Sequence, residues 1–141
     1  MFVDASVLVA IINQEPGWED LSHRLSRSSV RLVSPLVRYE AVQAVARASA
    51  EKITGNGRPT VEILAAAMGV VDSLCDAIEA EELDITASVG TAAIEASMRY
   101  GKVVGHRARL NFGDCFAYAC ARSRNVPLLY KGEDFLRTDL A

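Results

Sequence analysis

Four acidic side chains stand where chemistry could use them: Asp4 inside the apolar run Met1–Ile12, Glu40 in a helical stretch, Asp114 after Asn111-Phe112-Gly113, and Asp134 after Lys131-Gly132-Glu133. A carboxylate desolvated in an apolar run has its charged form disfavoured and its pKa pushed up. Aspartate is also a favoured helix N-cap, which accounts for Asp4 and Asp114 taken singly. Carboxylates gathered in one place behave differently. Like charges about 4 Å apart repel by roughly 4 kcal/mol at an effective dielectric of about 20, so such a cluster either holds protons or binds a cation. With oxygen ligands and no paired Cys/His set, Mg²⁺ or Mn²⁺ is the natural ion. These ions activate water and stabilise the leaving oxygen of an in-line displacement, which is metal-dependent phosphate-ester hydrolysis. Lys102, His106, Arg107 and Arg109, around Gly105, form the one clustered positive segment. It reads either as a solvated loop or as a mobile contact for substrate phosphates.

The elements that must position these groups alternate strand and helix. Phe2-Val3 reads as a strand, with Asp4 at its carboxyl end and a helix over Val7–Ile12. Pro16 opens a second helix through about Arg27, with Trp18, Leu21 and Leu25 on one face. Val30–Val33 is a second strand. Ser34-Pro35 then caps a helix from Leu36 to about Glu51. On that helix Leu36, Glu40, Gln43 and Arg47 share a mostly polar face, so periodicity alone puts Glu40 at the surface. Thr54–Pro59 breaks the chain. A long helix follows from Val61, then a third strand at Leu83–Thr86 and a helix over Ala87–Tyr100 that Gly101 stops. A last helix runs from Asp114's neighbourhood to Arg124. Leu128–Tyr130 is the fourth strand, which puts Asp134 just past its end. Repeated strand–helix units predict an α/β fold with a short, mostly parallel sheet and helices on both faces, in which ligands collect at the carboxyl ends of the strands.

Composition narrows the class. The 141 residues suit one domain. A net charge of −3 gives no bulk attraction to nucleic acid, so any such contact needs a local patch. Cys75, Cys115 and Cys120 lack paired spacing, which favours reduced thiols in a cytoplasmic protein over disulfides or zinc. The apolar N-terminus has no basic flank, carries Asp4 and is too short to span a bilayer, so neither export nor a membrane is expected.

Phe2-Val3-Asp4-Ala5-Ser6, Tyr39-Glu40, Leu110-Asn111-Phe112-Gly113-Asp114-Cys115 and Lys131-Gly132-Glu133-Asp134-Phe135 with Thr138-Asp139 together resemble the PIN domain, in particular VapC toxins of type II toxin–antitoxin pairs. The resemblance runs through the whole chain in order. It implies a three-layer α/β/α sandwich over residues 1–141 and an endoribonuclease using Mg²⁺ or Mn²⁺. Asp4 and Asp114 then correspond to the principal metal-binding aspartates. Glu40 corresponds to the family's helix glutamate, against the surface reading above. Asp134 corresponds to the last acidic position, with Glu133 and Asp139 as neighbours that leave the choice open. Ser6 matches the hydroxyl supporting Asp4. The resemblance also implies an RNA substrate, a VapB-like antitoxin and a homodimer; the Val61–Ala80 helix, on pattern alone, is expected to be dimer or antitoxin surface. A receiver domain would want paired acidic residues after the first strand, and a haloacid-dehalogenase-type phosphatase a second aspartate at position 6. Ala5 and Ser6 stand there instead. The remaining alternative is a catalytically silent PIN-like protein that only binds RNA or protein.

Overall fold

The computed structural model describes residues 1–140. Four strands, β1 (Phe2–Val3), β2 (Leu32–Val33), β3 (Glu81–Glu82) and β4 (Leu128–Leu129), form one parallel sheet in the order β3-β2-β1-β4. Six α-helices surround it among the described residues: α1 (Ala5–Asn13), α2 (Trp18–Ser26), α3 (Pro35–Thr54), α4 (Val61–Ala77), α5 (Ala87–Tyr100) and α6 (Phe112–Arg124). The mixed α/β architecture and parallel sheet agree with the expectation from the strand–helix alternation.

The third strand pairs earlier than the alternation of Leu83–Thr86 suggests. Glu81 N–H donates to Arg31 O and Leu83 N–H to Val33 O, each at 2.8 Å. Ladder geometry, fixed by β2, therefore places β3 at Glu81–Glu82. Leu83 is buried just beyond it, and Thr86 leaves the sheet to cap α5 by accepting from Val89 N–H. The charges suit the position, since β3 is an edge strand and both glutamates are exposed.

Strand order decides where a site can form. From β1 the chain steps outward to β2 and β3, while β4 returns on the other side of β1. The chains leaving β1 and β4 therefore diverge at a topological switch point, the usual ligand crevice of an open parallel sheet. Phe2 and Val3 are fully buried, and the register Phe2↔Leu128 and Val3↔Leu129 sets Asp4 and Tyr130 at the same edge.

Small residues bring the helices close to this edge. Gly113, Ala117, Ala119, Cys120 and Ala121 are buried along α6, and Ala41, Ala46 and Ala50 along α3. Cys75, Cys115 and Cys120 are free and buried. The C-terminal segment is pinned by fully buried Phe135, whose ring lies 4.9 Å from that of Tyr130. A second anchor is Tyr118, whose hydroxyl donates to Asp139 Oδ1 at 2.6 Å. Burial and the adjacent carboxylate push this phenol up to about 12, so it stays a donor. No helix of the described residues is long and apolar enough to cross a membrane.

Candidate active site

Asp4 caps α1 and belongs to the site as well. Its backbone is extended, and its Oδ2 accepts from Ser6 N–H at 2.9 Å and from Ser6 Oγ–H at 2.5 Å. Ser6 Oγ in turn accepts from Lys131 N–H at 2.9 Å, and Asp4 N–H donates to Leu129 O at 2.9 Å. Ser6 thus ties the exit of β1 to the exit of β4 and fixes the orientation of the carboxylate. Asp4 is only 7% exposed. Burial raises its pKa, the bonds from Ser6 and Ala5 pull it back, and Asp134 raises it further.

Asp114 is the third residue of α6 and closes a capping box. Asn111 N–H donates to Asp114 Oδ2 at 2.7 Å, and Asp114 N–H donates to Asn111 Oδ1 at 3.1 Å. Desolvation is the main cause of a carboxyl pushed up to about 6. The Asn111 bond opposes the shift, and the charges of Asp4 and Asp134 add to it. Glu40 reaches the same cleft from the second turn of α3. Desolvation first, then Asp4 and Asp114, push it up to about 7. The polar face of α3 is therefore the wall of a cleft of about 680 Å³, lined by Asp4, Ser6, Tyr39, Glu40, Arg47 and Asp114 among others. Periodicity identified the polar face of α3 but not what it faces.

Gly113 makes room for this arrangement. A β-carbon there would stand 2.0 Å from Glu40 Oε1, so only glycine lets the α3 carboxylate lie against the first turn of α6. No spacing rule marks such a glycine. The signal in the sequence is a glycine inside the first turn of a helix, where its low propensity asks for a packing reason.

Asp134 is exposed beyond β4 and is felt by both Asp4 and Asp114. Glu133 lines the same hollow. Asp139 is turned elsewhere: it accepts from Tyr118 and lies 3.9 Å from Arg99 and 3.8 Å from Arg122. The basic segment meets the carboxylates in a second hollow of about 360 Å³, where Lys102, Arg107 and Arg109 face Asp114 and Asp134 and Arg137 joins them. His106 does not line it. Its Nδ1 accepts from Ala108 N–H at 3.1 Å and its ring packs edge-on against Tyr100, so it shapes the loop. Arg137, Lys131 and Glu15 were given no role from the sequence, because turns beyond strand and helix ends have no period to read.

The carboxylates feel one another's charge, yet no three His, Cys, Asp or Glu side chains among the described residues stand ready-made as a metal-ligating group.

The comparisons agree with this fold. The PIN domain family model matches residues 1–140. A VapC ribonuclease of Rhizobium meliloti (strain 1021) is 49% identical over 140 residues, covering 99% of this chain and 98% of that protein. Ribonuclease VapC42 of Mycobacterium tuberculosis is 36% identical over 143 residues, covering 99% of this chain and 96% of that one. Among solved structures, Mycobacterium tuberculosis VapC20, described as a sarcin-ricin loop cleaving toxin, superposes with a TM-score of 0.68 at 17% identity over 99% of this chain and 95% of that chain. With a parallel sheet carrying its acidic cleft at the switch point and relatives matched end to end, the chain belongs to the PIN-domain family, in its VapC branch.

Proposed function

We propose that this protein is an endoribonuclease toxin whose acidic cleft hydrolyses RNA phosphodiester bonds with Mg²⁺ or Mn²⁺. The observation that carries the proposal is the convergence of Asp4, Glu40 and Asp114 on one cleft, with Glu40 raised to about 7 and Asp114 to about 6 by burial first and by neighbouring carboxylates second. The donor set fits a hard divalent ion, being all oxygen and short of positive charge. Asp4 and Asp114 would hold the ion, which when bound supplies charge stabilisation at the phosphoryl oxygens and lowers the pKa of water. Ser6 orients Asp4. Glu40, which lines the cleft beside Asp4 and Asp114, is placed to take a proton from the attacking water. Asp134 completes the negative field, while Lys102, Arg107 and Arg109, with Arg137, grip flanking phosphates. His106 serves that grip through the loop it shapes.

The chain works as one PIN domain in the cytoplasm, as a homodimer held inactive by a VapB-like antitoxin. Two apolar faces support protein contacts of this kind. One carries exposed Val61 and Met68 on α4, the other exposed Ile94, Met98, Val103, Val104 and Phe112 around α5 and the start of α6.

The test is transcriptome-wide mapping of RNA 5′ ends after brief induction of wild type and of Asp114→Asn. New ends at one or a few sites, present with wild type alone, are expected. Growth arrest by both proteins without new ends would replace the nuclease with the silent binder. A finer check uses Gly113→Ala. The new methyl group meets the flexible end of Glu40 rather than backbone, so the fold survives and the helix gains about 0.5–1 kcal/mol of propensity. Displacing the Glu40 carboxylate is expected to cost about 10²-fold in cleavage rate. A variant both stable and fully active would remove Glu40 from the mechanism.

A further inference from the structure

The polar face of α3 extends beyond Glu40. Tyr39, Gln43 and Arg47 recur at i, i+4 and i+8, forming one stripe along the helix, and all three line the acidic cleft. Tyr39 is 63% exposed, and its ring stacks on no other aromatic ring among the described residues. Arg47 is exposed and pairs with no carboxylate among the described residues, whereas Arg31, Arg38, Arg99 and Arg122 all do. Ala44, between them, keeps the floor low. Lys131 lines the same cleft, its ammonium held by Glu15 and its backbone by Ser6. This cleft and the basic hollow meet at Asp114 and share no other lining residue. Arg47 on one side and the basic hollow on the other therefore flank the carboxylates with positive charge, while the Lys131 charge is shared with Glu15, which lines the cleft too.

An RNA strand crossing the carboxylates at Asp114 needs such an arrangement. The basic loop serves one flank, and the other must offset the repulsion between phosphate and the acidic cleft. Resting on the nuclease reading above, we propose that Tyr39, Gln43 and Arg47, with Lys131, form a nucleotide subsite next to the scissile phosphate. It would take an unpaired nucleotide, with the base stacked on the Tyr39 ring, a base edge on the Gln43 amide, and the phosphate between Arg47 and Lys131. Aromatic stacking with adjacent guanidinium contact is the usual means of holding a single-stranded base. The consequence is a requirement for unpaired RNA at that position and a base preference set by Gln43.

The experiment measures binding of a fluorescein-labelled, random-sequence single-stranded RNA pool to Asp114→Asn protein, so that turnover is not needed. Tyr39→Ala is expected to weaken binding about tenfold or more. Tyr39→Phe is expected to restore it, since the ring rather than the hydroxyl does the stacking. Arg47→Gln is expected to flatten the dependence of log affinity on log salt by about 0.7, one phosphate's worth for a single strand, and Lys131→Gln, whose ammonium is shared with Glu15, by less. On an RNA that wild type cleaves, Tyr39→Ala should raise KM with kcat little changed and blur the base preference beside the cut. Unchanged affinity and salt slope in these variants would overturn the subsite, as would a phenylalanine no better than alanine. If wild type produces no new RNA ends, the nuclease reading fails separately, and the binding measurement still decides the subsite.

Discussion

Asp114→Asn is expected to abolish RNA cleavage while leaving a protein as stable as wild type, or more so. The loss follows from charge. Asparagine keeps an oxygen but removes one of two negative groups proposed to hold the ion, and forfeiting about 4 kcal/mol of transition-state stabilisation lowers the rate about 10³-fold. The retained fold follows from the capping box. Asn111 N–H donates to Asp114 Oδ2, which an amide oxygen can replace, and Asp114 N–H donates from the backbone whatever the side chain. The asparagine also removes a charge that Asp4 and Asp134 repel. Alanine at this position separates the two roles, since it also loses the bond accepted from Asn111 N–H and should cost about 1 kcal/mol. Cleavage assays and thermal melts on both variants check the pair. An active asparagine variant would displace Asp114 from the centre of the mechanism.

The second large effect is on stability and reverses sign with divalent ions. In metal-free protein Asp114 is raised from 3.8 to about 6 and Glu40 from 4.5 to about 7, so between these limits the folded state binds more protons than the unfolded one. Stability then falls as pH rises from about 4 to about 7 and levels off above that. Fully expressed shifts of this size would exceed 2 kcal/mol for each group. Both groups are partly open to water, so a combined loss of about 2 kcal/mol is the discounted expectation. In melts with EDTA this is a Tm roughly 4–8 °C lower at about pH 8 than at about pH 5. A cation that binds the ionised cluster stabilises the folded state by mass action, so saturating Mg²⁺ or Mn²⁺ should erase or invert the slope. Glu40→Gln should flatten the metal-free slope by its share. A metal-free protein equally stable at both pH values would mean that the carboxylates do not interact as described.

Much of this site was legible in the sequence because local rules agreed with one another there. Asp4 inside an apolar run, Ser34-Pro35 opening α3, and Asn111 with Asp114 opening α6 each announce themselves through burial or capping chemistry. What escaped depends on contacts between elements distant in the chain. Periodicity found the polar face of α3, but only the packing of α6 against α3, through Gly113, turns that face toward Asp4 and Asp114. The third strand was misplaced for a related reason. Its boundaries follow from hydrogen bonds accepted by the carbonyls of Arg31 and Val33, while the alternation at Leu83–Thr86 records burial alone. Among the three acidic candidates near the C-terminus, Asp139 is distinguished only by Tyr118, Arg99 and Arg122, which lie at least seventeen positions away.

The strands of this sheet are two residues long, and that brevity governs how the molecule can fluctuate. A ladder so short cannot open as a separate cooperative unit, because Phe2 and Val3 are held by β2, β4 and the helices at once. The amide of Asp4, bonded to Leu129 O, is the last rung of that ladder and the first atom of the cleft. Its hydrogen exchange is therefore expected to track global unfolding rather than local opening. Cleft geometry and whole-molecule stability then rise and fall together.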